Sequence, residues 1–377
     1  MENKKTVLVR GYLNRNLGDD LFFKILFERY PNVYFVVSGH SVVLDFVDKL
    51  HACNVIKKVN KLNFVERVIS RFFDTNYPKT KFLKNIISPK ISYDAVVIIG
   101  GSLFQNFKKG VGRFFIDEGE VIYDKLGVEV PRFILGSNFG PFVENDFYIK
   151  GKSFFEATTD VCFRDRYSKE LFADLKHIRY APDVVFNLAY EPIKKIPNSI
   201  GISLIHLSET LRPHLFSYQK DYLQSITDIV IQAAKDNRTI RLFSFCKSEG
   251  DDIAILQVMN SIPQELHAQI TPIFYEDDIS EFLFSFQEMD IMICSRFHSM
   301  ILGLVFQQKI FPIVYGEKMK HVLEDVGYKN EFIPIEDSSF LTYERVINNA
   351  SKSVTDVAYI KDMAREQFRE LDRLLLK

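Results

Sequence analysis

Arg296 and His298 stand two positions apart, directly after the apolar run Ile291–Cys294. An arginine offers a planar fork of donors that suits carboxylate or phosphate, and a histidine gains or loses a proton near neutral pH. The run reads as a buried strand, Ser295 as a helix N-cap, and Arg296 and His298 as the first helical turn. Free backbone N–H groups and the positive end of the helix collect there, so the pair is placed to hold an anion and to move a proton. The plainer alternative is an arginine paired with a nearby acid and a histidine packed at the surface. Delivery by a buried strand to a helix start favours the chemical reading.

Other residues gather at similar places. Lys318 follows the run Phe311–Tyr315 through Gly316-Glu317, so it is expected at the same edge; alone it is an ordinary exposed lysine. Arg164 ends the run Val161–Phe163 and is a candidate second cation facing Arg296, with Asp165 as a helix cap. Gly100-Gly101-Ser102 closes the run Val96–Ile99, where a double glycine either admits a ligand close to the backbone or permits a tight turn. Asn16-Leu17-Gly18-Asp19-Asp20 joins the first strand to the first helix. One of its aspartates is expected as the cap, and Asp19 as a carboxylate able to take a proton from a sugar hydroxyl. Gly136-Ser137-Asn138-Phe139-Gly140-Pro141 and Ala181-Pro182-Asp183 read as structural loops at the same sheet edge. No Gly-x-Gly-x-x-Gly fingerprint and no Gly-Lys-Ser/Thr motif occurs, so neither NAD nor ATP use is supported. No metal-ligand spacing is visible either.

Alternating elements must position these residues. Strands are expected at Thr6–Gly11, Val33–Val37, Asn54–Val59, Ala95–Ile99, Arg132–Leu135 and Val161–Phe163. The second half repeats the pattern with Ile200–Ile205, Ile240–Phe245, Thr271–Tyr275, Ile291–Cys294 and Ile310–Val314. Helical stretches such as Asp20–Tyr30, Ser41–Leu50, Tyr218–Lys235, Ile279–Met289 and Phe297–Phe306 lie between them. Alternation of this kind predicts βαβ units on a parallel sheet, twice over. The proline-containing polar stretch Ala189–Asn198 marks the division. The expected fold class is α/β: two doubly wound, Rossmann-like domains, 1–190 and 198–340, facing across a cleft. A C-terminal helix over 341–377 then packs back. Ligands of such sheets bind at the carboxyl ends of the strands.

A chain of 377 residues, 47% hydrophobic, has room for two cores, and a formal net charge of −1 argues against a dedicated nucleic-acid binder. The N-terminal apolar stretch is too short for a signal peptide and no run is long enough to span a bilayer, so a cytoplasmic protein is expected. Cys53, Cys162, Cys246 and Cys294 are scattered and read as reduced, buried residues. Lys57–Lys90 is basic and interleaved with phenylalanines. It reads as a solvated helical face; the sharper reading is peripheral contact with an anionic cytoplasmic membrane surface.

Taken in order, several segments resemble the polysaccharide pyruvyl transferase family. They are Asn16-Leu17-Gly18-Asp19, Asp94 to Gly101, Gly136 to Pro141, Phe163-Arg164-Asp165 with Ser168, Ala181-Pro182-Asp183, Ser295-Arg296-Phe297-His298, and Tyr315 to Lys318. The resemblance spans about Gly11 to Gly327. It implies a two-domain fold of the GT-B type and transfer of the pyruvyl group of phosphoenolpyruvate to a sugar, usually as a cyclic ketal. On that resemblance Arg296 and Lys318, with Ser295, would bind phosphoenolpyruvate on the second domain's side, Arg164 would be contributed by the first domain, and His298 would be catalytic, with Asp19 as a further candidate. Asn16, Gly18, Gly100, Gly101 and Ser137 would form the acceptor side, taking a saccharide or lipid-linked saccharide, or serve as loop residues. The chain departs from the family at Phe297, where Leu is common, and at Ser137, where Gln is usual. No cofactor or metal is required by this scheme.

Phosphoenolpyruvate carries a carboxylate and a phosphate, so several cations and N–H donors suit it. Two other functions fit the same architecture: a nucleotide-sugar glycosyltransferase, and a non-catalytic saccharide-binding member of the family.

Overall fold

Short β-branched and aromatic runs pair as parallel strands because helical crossovers return the chain to the same edge each time. The computed structural model describes residues 4–39, 47, 50, 55–59, 87, 91–106, 114–276, 278–350, 352 and 354–376. Most of the Ser41–Leu50 stretch, most of the basic Lys57–Lys90 stretch and Cys53 lie outside the described residues.

The first sheet contains β1 (Thr6–Arg10), β2 (Tyr34–Gly39), β3 (Val55–Val59) and β4 (Ala95–Ile99). After a short β5 (Phe104–Asn106) come β6 (Arg132–Ser137), β7 (Phe139–Phe142), β8 (Asp160–Phe163) and β9 (Ile178–Tyr180). The order is β3-β2-β1-β4-β6-β8-β9, while β5 and β7 form a separate two-stranded sheet. The expected loop Gly136–Pro141 is therefore corrected: its second half is a strand, with Phe104 opposite Phe139. Packing explains the change. Phe139 stacks on Phe147 at 5.1 Å between centroids and meets Phe172 edge-on at 4.9 Å, which ties the segment to the Phe-rich core.

The second sheet contains β10 (Ile196–Ser203), β11 (Thr239–Ser244), β12 (Ile270–Phe274), β13 (Met289–Cys294), β14 (Lys309–Val314) and β15 (Ile333–Pro334). Its order is β12-β11-β10-β13-β14-β15. Both sheets follow the doubly wound pattern, reversing direction between β1 and β4 and between β10 and β13. In such sheets the crevice at the carboxyl side of the reversal is where ligands bind.

The contacts divide the chain into two units. One holds Met1–Leu13, Phe22–Val184 and Met363–Lys377; the other holds Asn14–Leu21 and Val185–Asp362. Two differences from the expected 1–190, 198–340 and 341–377 follow. Residues 14–21 join the second unit although they lie near the start of the chain. The terminal stretch is also not one helix: it forms Tyr343–Ala350, Ala358–Ala364, a 3-10 turn Arg365–Phe368 and Arg369–Leu375. The polar, β-branched sequence Ser351–Asp356 disfavours a helix interior. Asp356 instead accepts a hydrogen bond from the Ala358 N–H at 2.9 Å and starts the next helix. Within the first unit, Gln367 takes the Gly136 N–H on Oε1 (3.0 Å) and donates from Nε2 to the Ala181 carbonyl (2.7 Å).

Among the described residues no helix is long and apolar enough to cross a membrane. Cys162, Cys246 and Cys294 are free and buried.

Candidate active site

The reversal point of the second sheet is built by buried hydroxyls. Ser203, at the end of β10, lies opposite Cys294 at the end of β13. Its Oγ accepts the Ser295 N–H at 3.0 Å and donates to Ser299 Oγ at 2.6 Å. Ser295 is fully buried and accepts a hydrogen bond from the Tyr222 hydroxyl at 2.9 Å. Ser295 is thus not the N-cap that the sequence pattern predicts. The helix runs Phe297–Val305 with Arg296 in the cap position, and the Ser299 hydroxyl accepts the Arg296 N–H at 3.3 Å. Tyr222 engages the Ser295 side chain, and Ser299 takes over the capping role.

Arg296 is buried and held by two carboxylates. Nε and Nη2 donate to Asp251 at 2.8 and 2.7 Å, and Nη1 donates to Glu249 at 2.6 Å. Among the described residues, two of its five N–H donors have no hydrogen-bond partner. Burial opposes charge on the guanidinium, but Asp251 and Glu249 outweigh it and hold the pKa well above the usual value. The plainer alternative, an arginine paired with acids, is therefore present. Asp251 also accepts the backbone N–H groups of Phe245 (3.1 Å) and Cys246 (3.0 Å). Glu249 is shared: Arg212 Nη2 forms an ion pair with the same oxygen, Oε2, and Arg212 Nη1 donates to the His206 carbonyl at 3.0 Å. Burial pushes the Glu249 carboxyl up, but Arg296 and Arg212 pull it down to about 2.

Lys318 lies in the first turn of the helix Glu317–Asp325, past the end of β14. Its Nζ is 5.2 Å from the Tyr315 ring centroid and 5.6 Å from that of Phe297. Among the described residues it forms no ion pair. Burial pushes the Tyr315 phenol up, yet Lys318, Arg296 and Arg212 together bring it below the ordinary phenol value.

The segment Asn14–Leu21 completes this edge. The Leu17 N–H donates to the Phe245 carbonyl at 3.1 Å, and Asn16 bridges Cys246 in antiparallel fashion. Asn14 Nδ2 reaches Ser248 Oγ at 3.0 Å, and Asn16 Nδ2 reaches Glu249 Oε1 at 3.4 Å. The first helix begins at Leu17, and Asn16 Oδ1 accepts the Gly18 N–H at 3.1 Å. Asparagine, not an aspartate, supplies the cap, because the helix starts earlier than the pattern predicts. Asp19 and Asp20 fall in its first turn. Asp20 is fully buried and accepts the Tyr275 hydroxyl at 2.8 Å, while Asp19 is half-buried. Gly18 has no room for a side chain: a Cβ there would lie 1.7 Å from His298 Nδ1. The bare backbone of Gly18 is what lets the His298 ring pack there.

In the first unit, Gly100, Gly101, Ser137 and Arg164 come together. Ser137 Oγ donates to the Gly100 carbonyl at 2.7 Å, and its own carbonyl accepts the Arg164 N–H at 2.9 Å. Arg164 is buried, with Nη1 on Asp183 at 2.9 Å and Nη2 on Asn138 Oδ1 at 2.6 Å and Ser102 Oγ at 3.1 Å. A Cβ at Gly101 would lie 2.5 Å from Arg164 Nη1. Asp165 caps the next helix by accepting the Ser168 N–H at 2.7 Å, as its position suggests. The candidates thus divide by unit: Arg164, Gly100, Gly101 and Ser137 in one, Asn16, Gly18, Asp19, Ser295, Arg296, His298 and Lys318 in the other. The assignment of Asn16 and Gly18 to the first domain is corrected, since they pack with the edge that carries His298. Among the described residues no group of three or more His, Cys, Asp or Glu is arranged to hold a metal.

The family model described as polysaccharide pyruvyl transferase matches residues 16–317, which begins at the capping asparagine and ends one residue before Lys318. The chain belongs to the polysaccharide pyruvyl transferase family. This pyruvyl transferase is accordingly a transferase that acts in polysaccharide modification. No curated protein matches it by sequence. Solved structures similar to it share its fold at low identity. The UDP-GlcNAc 2-epimerase from Neisseria meningitidis bound to UDP-GlcNAc is 10% identical, with a TM-score of 0.61 over 99% of this chain and 100% of that one. A UDP-N-acetylglucosamine 2-epimerase from Rickettsia bellii is 10% identical, with a TM-score of 0.57 over 99% and 96%. An alpha,alpha-trehalose-phosphate synthase (UDP-forming) from Burkholderia vietnamiensis is 9% identical, with a TM-score of 0.52 over 99% and 96%. These likenesses place the pyruvyl transferase among GT-B folds.

Four residues of the site escape sequence reading: Arg212, Glu249, Asp251 and Tyr315 beside the cations. The acidic run Glu249-Gly250-Asp251-Asp252 after β11 carried a signal, since it follows a strand that neighbours the reversal point. Arg212 comes from an irregular segment, and nothing in its local pattern distinguishes it.

Proposed function

We propose that this enzyme moves the pyruvyl group of phosphoenolpyruvate onto a hexose of a capsule, exopolysaccharide or cell-wall polymer precursor, as a cyclic ketal, and releases phosphate. The observation that carries this reading is the packing of the Asn16–Asp19 motif against the Arg296–His298 motif, with Gly18 under the histidine ring. Two stretches separated by most of the chain, both within the family match, build one end of one sheet.

The steps need few groups. A proton is added to the methylene carbon of the enol, and a sugar hydroxyl attacks the carbon that bears the phosphate and gives up its own proton. The bond from that carbon to the phosphate oxygen breaks, phosphate leaves, and a second hydroxyl closes the ring with loss of another proton. His298 is suited to give and take these protons, with Asp19 as the carboxylate that assists the hydroxyl. Lys318 and the two remaining N–H groups of Arg296 supply charge for the donor's carboxylate and phosphate, with Ser295 as a further donor-binding residue. Arg164 belongs to the first unit and is proposed to add a further cation. The acceptor is proposed to be a saccharide or a lipid-linked saccharide, and the polymer's assembly site suggests the cytoplasmic face of the membrane.

The test is incubation with phosphoenolpyruvate and a panel of hexosides, reading phosphate release and the mass of the saccharide. Phosphate release with a pyruvyl mass increment is expected. Stabilisation by UDP- or GDP-sugars but not by phosphoenolpyruvate, with no mass increment, would replace this reading with a nucleotide-sugar transferase.

A further inference from the structure

The arginines at the reversal point of the second sheet already hold an anion that belongs to the protein. Glu249 Oε2 lies between Arg212 Nη2 and Arg296 Nη1, the position a ligand carboxylate or phosphate oxygen would take. The two carboxylates on Arg296 are not equivalent. Asp251 is wholly inaccessible and accepts four N–H groups, two from Arg296 and two from the backbone of Phe245 and Cys246. It is fixed. The Glu249 side chain is 22% exposed, and among the described residues its other oxygen has only a long contact of 3.4 Å from Asn16. It rides on the short turn Lys247–Glu249, which ends at Gly250 with φ +82, a conformation that suits glycine.

We propose that Glu249 is a resident counter-anion that substrate displaces, and that Arg212 is a further donor-binding residue which this displacement frees. This rests on the donor site proposed above. With Glu249 in place, Arg212 and Arg296 face two carboxylates and their charge is matched, so an incoming trianion meets little net charge from the pair. With Glu249 swung toward solvent, Arg212 and the Nη1 edge of Arg296 turn to the ligand while Asp251 keeps Arg296 in position. Release of phosphate lets Glu249 return, which helps product leave.

The probe is inorganic phosphate, titrated calorimetrically into the full-length protein, with phosphoenolpyruvate in parallel. Glu249→Gln keeps the shape and removes the competing charge. Phosphate is expected to bind it about 10-fold tighter than it binds the natural protein, the scale of one charge-assisted contact. Arg212→Gln is expected to weaken binding by about 10-fold, and Arg212→Gln with Glu249→Gln to lose the gain. Equal or weaker phosphate binding by Glu249→Gln would overturn the idea, because Glu249 would then be orienting the arginines. Natural affinity in Arg212→Gln would overturn it as well, and decides the question if Glu249→Gln does not fold. Tighter phosphate binding by Glu249→Gln without ketal formation by the natural protein would keep this inference and remove the phosphoenolpyruvate reading. Ketal formation with no gain in Glu249→Gln would do the reverse.

Discussion

Arg164 and Arg296 are both buried arginines just past the carboxyl end of a strand, yet they are held in different ways. Arg164 meets the Asp183 carboxylate, the Asn138 amide oxygen and the Ser102 hydroxyl. Arg296 meets two carboxylates, one of which it shares with a second arginine. A buried guanidinium needs its charge compensated, and one well-placed carboxylate does that. Where a second carboxylate is added, the local charge overshoots, and Arg212 restores the balance. The cluster around Arg164 therefore braces the glycine turn as well as carrying the cation proposed for the donor. The cluster around Arg296 contains a second, partly exposed carboxylate, next to the histidine and lysine proposed for the chemistry.

The sharpest way to break that contrast is to remove the proton carrier. His298→Ala is expected to lower phosphate release from phosphoenolpyruvate by about 100- to 10,000-fold, the range for a positioned acid or base. Retained turnover would make the second unit's cluster a brace as well. Next in size are the compensating carboxylates. Asp251→Ala and Asp183→Ala each leave a buried guanidinium without a main partner and should cost about 3–5 kcal/mol, whereas Glu249→Gln should cost about 1 kcal/mol or less. Urea unfolding followed by circular dichroism reads this, since the chain has no tryptophan. Equal costs for Asp251→Ala and Glu249→Gln would erase the distinction between a fixed and a displaceable carboxylate.

Gly18→Ala tests the packing of the histidine. The added Cβ would fall 1.7 Å from Nδ1, so the ring must move, and a displacement of about 1 Å is enough for roughly a 100-fold loss of turnover. Melting temperature and turnover measured together check it; natural turnover would show that His298 need not rest on that glycine. The smallest effect is a titration. The phenol of Tyr315 is held below its ordinary value by Lys318, Arg296 and Arg212 against the opposing effect of burial. Cations favour the phenolate, so Lys318→Met should move the titration upward. An alkaline absorbance titration, with Tyr315→Phe to identify the signal, measures it. No upward movement would show that Lys318 does not act on the phenol.

The legible parts were those carried by local pattern. Strands such as Ala95–Ile99, which the structure reproduces residue for residue, follow from a short run of buried β-branched residues. Asp165 was readable as a cap because a cap acts within three residues of itself. Boundaries that depend on competition were not. Ser295 loses the cap position to Arg296 because its hydroxyl goes to Tyr222, a partner 73 positions away in sequence. The single terminal helix divides because Val354-Thr355-Asp356, two β-branched residues and an aspartate, favours a break over a continuous apolar face.

By itself, the sequence determined the doubly wound α/β class, the cationic and titratable residues at strand ends, and the order of motifs that the family match bears out over residues 16–317. Those properties are encoded by neighbours along the chain. Only the tertiary structure decided that Asn14–Leu21 packs with the second unit, that His298 lies over Gly18, and that Arg296 comes with Asp251, Glu249 and Arg212 already around it. These are pairings across 37 to more than 200 positions of chain. No local propensity specifies them; they arise because the crossovers of a parallel sheet bring the carboxyl ends of distant strands to one edge, where buried charges must find partners.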